Sequence, residues 1–118
     1  MDIYAADDVI IEPGKSALVP TGLKMAIPYG YEVQIRLRSG ISLKTPLRVP
    51  NAPGTIDCGY SGTIGCRIFN HSDSIAVFNR GDKVTQLVVM PCITDEVEIV
   101  DEIKAGDRGE NGFGSTGA

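Results

Sequence analysis

Short β-rich runs separated by glycine and proline dominate this sequence and constrain its fold more than any other feature. The clearest run is YEVQIRLR, which extends from Tyr31 to Arg38. Within it, Val33, Ile35 and Leu37 alternate with polar side chains. A period of two places the apolar side chains on one face of a strand. The run therefore predicts a strand with one buried face and one exposed face.

Seven further runs have a similar β-rich character and lie between turn signals such as PG, PTG and PYG. They are Val9–Ile11, Ala17–Val19, Leu23–Ile27, Thr63–Phe69, Ile75–Phe78, Lys83–Met90 and Val97–Val100. No window carries a convincing helical stripe, and only Ile41–Pro46 could form a turn of helix, which Pro46 would end. Many short strands with regular turns predict an all-β barrel or sandwich.

Length and charge limit the number of domains and the class of partner. The chain has 118 residues, which suffices for one domain. Its formal net charge is -4, with 15 acidic residues against 11 basic ones. This balance argues against nucleic acid or an anionic membrane as a partner, because each would require a basic face. An acidic protein that binds a polyanion must gather its few basic residues in one site or recruit a divalent cation.

The cysteines indicate a reduced compartment. Cys58, Cys66 and Cys92 are odd in number and share no C-x-x-C spacing, which argues against a disulfide framework. With His71 as the single histidine, a structural zinc site is also disfavoured. No apolar run reaches transmembrane length and no signal peptide opens the chain. We therefore expect a soluble, cytoplasmic protein.

Two interior stretches carry polar residues suited to chemistry. In RSG (Arg38–Gly40), a guanidinium, a hydroxyl and an accessible backbone amide would suit a phosphate, although Ser-Gly is also an ordinary turn. In NAPGTIDCGYSG (Asn51–Gly62), Thr55 and Ile56 begin a short strand that leads to Asp57. Read as a hairpin, this stretch displays the Asp57 carboxylate near the Tyr60 ring. A turn aspartate and a half-buried tyrosine are the alternatives.

A third stretch, RGDKVTQL (Arg80–Leu87), contains Gln86, which is either a ligand or a satisfied core amide. No serine–histidine–acid set is available, and no G-K-[ST] follows the glycines as in a P-loop. Phosphate chemistry here would have to use a water nucleophile, an aspartate to orient it and a metal ion to neutralise charge.

The chain ends in DRGENGFGSTGA, which lacks apolar periodicity. A solvated, disordered tail is one interpretation. The other is a ligand-binding segment, because backbone amides, hydroxyls and the guanidinium of Arg108, together with the ring of Phe113, match an anionic, ring-bearing ligand.

Five stretches in order resemble the five motifs of the trimeric dUTPases (deoxyuridine triphosphate nucleotidohydrolases). They are DIYAADDV, RSGIS, GTIDCGYSG, GDKVTQL and RGENGFGSTG, and together they cover nearly the whole chain. The resemblance implies a jelly-roll-like β-barrel and the hydrolysis of dUTP to dUMP and pyrophosphate. It assigns Asp57 to the water that attacks the α-phosphorus, and Asp2 to Mg²⁺ through the water shell of the ion.

The same resemblance implies the substrate contacts. Asn51 would read the uracil edge, and Tyr60 would pack on the deoxyribose and exclude a 2′-hydroxyl. The phosphate contacts would come from Arg38, Ser39, Gly40 and Gln86.

The resemblance also implies two parts of the chain and an oligomer. Residues 1–102 would form the barrel, and residues 103–118 would form a mobile arm that closes over a neighbouring subunit's site in a homotrimer. On closure, Phe113 would stack on uracil and Arg108 would meet the terminal phosphates. Gly114, Ser115 and Thr116 would also donate to phosphate.

The sequence departs from the family pattern in two places. The family has a first strand before the motif that opens here at Met1-Asp2, so a shortened or trimmed chain would leave a sheet edge exposed. Glu110 and Asn111 stand where small residues are usual, and Glu110 adds negative charge near the expected phosphates.

Three rival interpretations remain open from the sequence. A dCTP deaminase would need a glutamate base in a stretch resembling SGTIGCRIFN, where this chain has Arg67, which cannot act as a base. A catalytically silent nucleotide-binding module of the same fold is the second. A plain structural β-domain is the third, and it leaves the five ordered motifs unexplained.

Overall fold

The computed structural model describes residues 1–93, 95–114 and 117. Within these residues the chain forms nine strands and one short helix. The strands are β1 (Asp2–Tyr4), β2 (Val9–Ile11), β3 (Ser16–Pro20), β4 (Tyr31–Leu37), β5 (Leu47–Arg48), β6 (Gly54–Ile56), β7 (Gly65–Asn70), β8 (Ala76–Phe78) and β9 (Lys83–Pro91), and the helix is α1 (Ser39–Lys44). The all-β prediction is confirmed.

The strands assemble into three antiparallel sheets. The largest has the order β1-β9-β4-β6, β3-β7-β5 forms a second sheet, and β2 pairs with β8. The long strands β4 and β9 pair from Tyr31 opposite Pro91 to Leu37 opposite Thr85. These pairings join residues far apart in sequence, so the sheet order could not be read from any local window.

The sheets enclose one apolar core. On β4, Val33 and Ile35 are buried while Arg36 is exposed, as the alternation predicts. On β7, Cys66 and Ile68 are fully buried. Burial of an aliphatic side chain of this size contributes roughly 2 kcal/mol to stability. The core therefore holds β4 and the residues that follow it against the rest of the chain.

Two predicted strands are wrong. Leu23–Ile27 forms no strand, because its pairing is limited to a bond from the Ile64 amide to the Leu23 carbonyl at 2.8 Å. Its one buried side chain, Ile27, enters the core from a loop. Val97–Val100 also forms no strand and is exposed, with Ile99 at 95% exposure. Among the described residues it has no partner strand to satisfy its backbone groups.

The helical turn expected over Ile41–Pro46 forms as α1, which ends before Pro46. The Thr45 amide closes it by donating to the Ile41 carbonyl at 2.9 Å. The short strand expected at Thr55 and Ile56 forms as β6. Strands β1 and β5 were missed by the sequence reading, because two or three residues are too few to show a period.

In the part of the chain that the structure describes, no helix has the length and apolar character needed to cross a membrane.

Candidate active site

The first polar group, called here the Asp2 cluster, consists of Asp2, Arg38, Lys83 and Gln86. Asp2 opens β1 directly opposite Gln86 of β9, and the Gln86 side-chain amide donates to Asp2 Oδ1 at 3.4 Å. Lys83 Nζ lies 3.1 Å from Asp2 Oδ2, and Arg38 Nε lies 3.6 Å from Asp2 Oδ1. Strand pairing thus gathers three polar side chains around one carboxylate.

Arg38 enters the cluster because it follows β4 directly and precedes α1, whose first residues are Ser39 and Gly40. Its Nε is buried and has no hydrogen-bond partner among the described residues. A buried donor without an acceptor is costly. Asp2 Oδ1 pairs with the charge of this group from 3.6 Å, which is too far for a hydrogen bond, so Arg38 Nε retains the capacity to donate to a further oxygen.

Charge within the cluster perturbs two groups. The hydrogen bond from Lys83 is the main cause that lowers the pKa of Asp2 below its usual 3.8, and the bond from Gln86 adds to it. The hydrogen bond to Asp2 in turn raises the pKa of Lys83 above 10.5. Two cations face one carboxylate, so the cluster carries a net positive charge near neutral pH.

The pKa of Asp2 gives a pH prediction. We expect Lys83→Met to raise the pKa of Asp2 toward 3.8, because the main group that lowers it is removed. A depressed carboxyl pKa stabilises the fold above the unfolded-state pKa, and this contribution disappears as the pH falls through the folded-state pKa. Denaturation of the unsubstituted protein should therefore show an acid-side loss of stability, below about pH 4, that Lys83→Met reduces.

A ¹³C carboxyl titration of Asp2 by NMR measures this shift directly. Lys15→Met is the matched control, because Lys15 lies in the turn between β2 and β3 and is absent from the groups that perturb Asp2. An Asp2 pKa that is the same in the Lys83 and Lys15 variants would contradict the prediction.

The second polar group lines a cavity of about 240 Å³ and is called here the hairpin cavity. Asn51, Asp57 and Tyr60 bring the polar and aromatic side chains, and Thr63 also lines it. The remaining lining comes from Ile35, Gly54, Thr55, Ile56, Ile64 and Gly65. An apolar floor with a few polar groups is typical of a site for a small organic ligand.

Local structure positions the side chains of Asp57 and Tyr60 in this cavity. Asp57 follows β6 directly, and the Tyr60 amide donates to the Asp57 carbonyl at 3.3 Å to close a turn. Gly59 within that turn has φ +84°, a conformation that glycine adopts readily. Tyr60 Oη donates to the Thr63 carbonyl at 3.1 Å. Asp57 and Tyr60 line one cavity, as expected, but the predicted hairpin is wrong, because β6 pairs with β4 and β7 belongs to another sheet.

The Asp2 cluster and the hairpin cavity lie on opposite faces of the four-stranded sheet. Gln86 is paired with Arg36, whereas the next residue, Leu87, is paired with Ile35. Successive side chains of a strand point to opposite faces. Leu87 and Ile35 are buried, and Ile35 lines the hairpin cavity. One chain therefore holds two half-sites and does not bring them to a common cavity.

The terminal segment stands apart from both groups. Arg108 Nε and Nη2 donate to the Asn111 carbonyl at 3.3 and 3.0 Å, within the segment itself. Phe113 is fully exposed and has φ +47°. Gly114 is exposed as well, while Ser115 and Thr116 lie outside the described residues.

Two parts of these groups were not predicted from the sequence. Lys83 was not named as a site residue, although it lies in the quoted stretch GDKVTQL beside Gln86. Its distance to Asp2 depends on the pairing of β1 with β9, which no local pattern indicates. The backbone carbonyl of Thr63, which accepts from Tyr60, carries no side-chain signal at all.

Within residues 1–93, 95–114 and 117, no three or more His, Cys, Asp or Glu side chains form a group that could hold a metal ion. A dedicated protein cage is therefore not present in the described part of the chain. Mg²⁺ does not need one, because it commonly keeps several waters and is held by one or two carboxylates plus the phosphates of a substrate. Asp2 offers such a carboxylate.

The fold and the two half-sites define an all-β protein of jelly-roll type with a bipartite polar site. The dUTPase family model matches residues 1–117. The chain is 46% identical to the deoxyuridine 5′-triphosphate nucleotidohydrolase of Syntrophotalea carbinolica, over 99% of this chain and 81% of that protein. The chain belongs to the dUTPase family.

Solved structures agree with this assignment. The dUTPase of Staphylococcus bacteriophage 80alpha, solved with dUPNHPP, superposes with a TM-score of 0.91 at 32% identity, over 99% of this chain and 85% of that one. A mutant dUTPase from phage phi11 of S. aureus, described with a structural Mg(II) ion, gives a TM-score of 0.82 at 31% identity, over 88% of this chain and 84% of that one. The predicted family and fold are confirmed.

Proposed function

We propose that this protein hydrolyses dUTP to dUMP and pyrophosphate and so keeps uracil out of DNA. The observation that carries the proposal is the Asp57 carboxylate in the hairpin cavity beside Asn51 and Tyr60, in a chain whose relatives are nucleotidohydrolases of deoxyuridine triphosphate. A carboxylate that orients a water and accepts its proton is sufficient for this reaction, because no covalent intermediate is needed.

The hairpin cavity is the proposed nucleoside half-site. Asn51 reads the uracil edge through its amide, which offers both a donor and an acceptor. Tyr60 packs against the deoxyribose, where a 2′-hydroxyl would collide with the ring. Asp57 lies in the same cavity and directs its water at the α-phosphorus.

The Asp2 cluster is the proposed phosphate half-site. Phosphate oxygens are contacted by Gln86, Ser39, Gly40 and Arg38. The buried Nε of Arg38 has no hydrogen-bond partner among the described residues and is free to donate to them. Lys83 adds positive charge beside them. Such a cluster allows a chain of net charge -4 to bind a triphosphate.

Mg²⁺ is the proposed cofactor, and Asp2 is the residue that would hold it, through the water shell of the ion. When bound, it neutralises phosphate charge and fixes the triphosphate geometry. The structural Mg(II) ion of the phage phi11 enzyme supports the presence of the ion in this fold.

A homotrimer with shared sites is the proposed assembly. The separation of the two half-sites on opposite faces of one sheet supports it, because a nucleotide that contacts both must lie between two copies. Symmetric assembly then generates equivalent sites from a single interface.

Residues 103–118 are the proposed mobile arm, and residues 1–102 are the barrel that it covers. The exposed ring of Phe113 stacks on uracil, and Arg108 leaves the Asn111 carbonyl for the terminal phosphates. Gly114, Ser115 and Thr116 donate to the same phosphates. Closure of this kind excludes water and completes the set of donors around the developing charge.

Removal of residues 107–118 should lower kcat for dUTP by about a hundredfold, because donors to the phosphate charge are lost. Steady-state kinetics with a pyrophosphate readout measures this effect. Asp101→Asn, an exposed substitution before the deleted segment, is the control and should retain activity. Full activity of the shortened chain would remove the arm from the mechanism.

Product analysis tests the proposed function. The purified protein is incubated with Mg²⁺ and dUTP, and with dCTP, dTTP and UTP in parallel. Conversion of dUTP alone to dUMP and pyrophosphate is expected. Release of ammonia from dCTP would instead establish a deaminase. That outcome is not expected, because Arg67 stands where a deaminase needs a glutamate base, and its Nη1 donates to Ser16 Oγ at 3.1 Å. Nucleotide binding without turnover would establish a silent binding module.

A further inference from the structure

We propose that Gly62 is a positioning residue that sets the location of the Tyr60 ring and thereby the preference for deoxyribose over ribose; this inference rests on the proposed function. A Cβ at Gly62 would overlap Tyr60 Oη and would lie 2.6 Å from Cζ and 3.1 Å from Cε2. These distances are far inside van der Waals contact. Only a residue without a side chain allows the ring to lie where it does.

The backbone does not explain this glycine. Gly59, three residues earlier, has φ +84°, whereas Gly62 is not among the residues with positive φ. Alanine could therefore adopt the backbone conformation of Gly62 without strain. The demand for glycine at this position comes from the Tyr60 ring.

Two contacts define the ring position. Tyr60 Oη donates to the Thr63 carbonyl at 3.1 Å, which fixes the tip of the side chain. The ring passes over Gly62, which fixes its tilt. The hydrogen bond and the close approach to Gly62 involve the same end of the ring. A methyl group at Gly62 would displace this end and so break the hydrogen bond to Thr63.

A displaced ring has space to occupy. Tyr60 separates the hairpin cavity from a second groove of about 440 Å³, lined by Lys24, Met25, Ala26, Ile27, Gly59 and Ser61 as well as by Tyr60 itself. The ring is 49% exposed, so it is not locked by core packing. Gly62→Ala should therefore displace the ring from this shared wall and leave the fold intact.

Displacement of the ring from its place in the wall of the hairpin cavity changes selectivity. The ring no longer blocks the position of a 2′-hydroxyl, so UTP can bind, and dUTP loses a surface on which its deoxyribose packs. We expect Gly62→Ala to lower the ratio of kcat/KM for dUTP over UTP by about tenfold, the order of effect that one pocket contact has on discrimination. For dUTP the change should fall mainly on KM, since Asp57 is untouched.

The experiment compares Gly62→Ala, Tyr60→Ala and the double variant with dUTP and UTP. If Gly62 acts through Tyr60, its substitution has no further effect on the ratio once the ring is absent. Ser61→Ala is the matched control, because it alters the neighbouring side chain without adding an atom over the ring. An equal loss of selectivity from Gly62→Ala in both backgrounds would overturn the inference.

A second readout does not depend on turnover. With ¹³C-labelled tyrosine, the Tyr60 ring resonance, assigned by Tyr60→Phe, should shift in Gly62→Ala and stay in place in Ser61→Ala. An unchanged resonance would overturn the inference. If the unsubstituted protein turns over no nucleotide, the proposed function fails by itself, and the ratio of dUMP to UMP affinity replaces the kinetic ratio. A Gly62→Ala variant with an unchanged affinity ratio would again contradict the proposal.

Discussion

Substitution of Asp57 by asparagine is expected to lower kcat for dUTP hydrolysis by about a thousandfold, within the range that a positioned general base contributes. Asparagine has almost the same shape, so the cavity that Asp57 shares with Asn51 and Tyr60 should persist. A neutral amide cannot take the proton of the attacking water. Affinity for dUMP should therefore stay within a few-fold of the unsubstituted value, since the change acts on the transition state.

Steady-state kinetics and calorimetric titration with dUMP measure the two quantities separately. Asp73→Asn is the matched control, because Asp73 is an exposed aspartate of the loop between β7 and β8. Retention of wild-type kcat in Asp57→Asn would remove Asp57 from the mechanism. A parallel loss of affinity would indicate a structural role for its carboxylate.

Co-expression of two inactive variants should restore activity if sites are shared between copies. Asp57→Asn damages the hairpin cavity, and Arg38→Ala damages the Asp2 cluster on the opposite sheet face. When both chains assemble at random, about a quarter of the sites combine an intact cavity with an intact cluster. The unfractionated population should then show about a quarter of normal activity and the purified mixed trimers about a third, far above the activity of either variant alone.

The matched control mixes Asp57→Asn with Asn51→Ala. Both residues line the same cavity of one chain, so no mixture of these two chains contains an intact cavity. Differently tagged chains, purified in two affinity steps, ensure that only mixed oligomers are assayed. A mixture of Asp57→Asn and Arg38→Ala that stays at the level of its parents would place the whole site within one chain and contradict the proposed sharing.

The strand content could be predicted because alternation is a local signal. β4 and β9 were found within one residue of their bounds, since Val33 and Ile35 alternate with polar neighbours and Lys83–Met90 is long. The same signal produced two errors. Leu23–Ile27 and Val97–Val100 are apolar enough to form strands, but neither has a ladder of partners in the described residues. An apolar pattern by itself is thus insufficient for a strand here.

The members of the candidate site could be named from the order of short motifs, whereas their arrangement could not. Asp2 and Gln86 are 84 residues apart and meet only because β1 pairs with β9. The contact of Lys83 with Asp2 follows from the same pairing. The close approach of Tyr60 to Gly62 depends on the direction of the Tyr60 side chain, which the sequence GYSG does not indicate.

Sequence alone determined that this chain is an all-β member of its family and which residues are candidates for its chemistry, because residue type and local spacing are properties of a short window. Tertiary structure alone decided that Asp2, Arg38 and Gln86 meet on one face of a sheet while Asn51, Asp57 and Tyr60 line a cavity on the other. The physical reason is strand register. Since side chains alternate faces, the pairing of Gln86 with Arg36 and of Leu87 with Ile35 places Gln86 on the face of the Asp2 cluster and Ile35 on the face of the hairpin cavity.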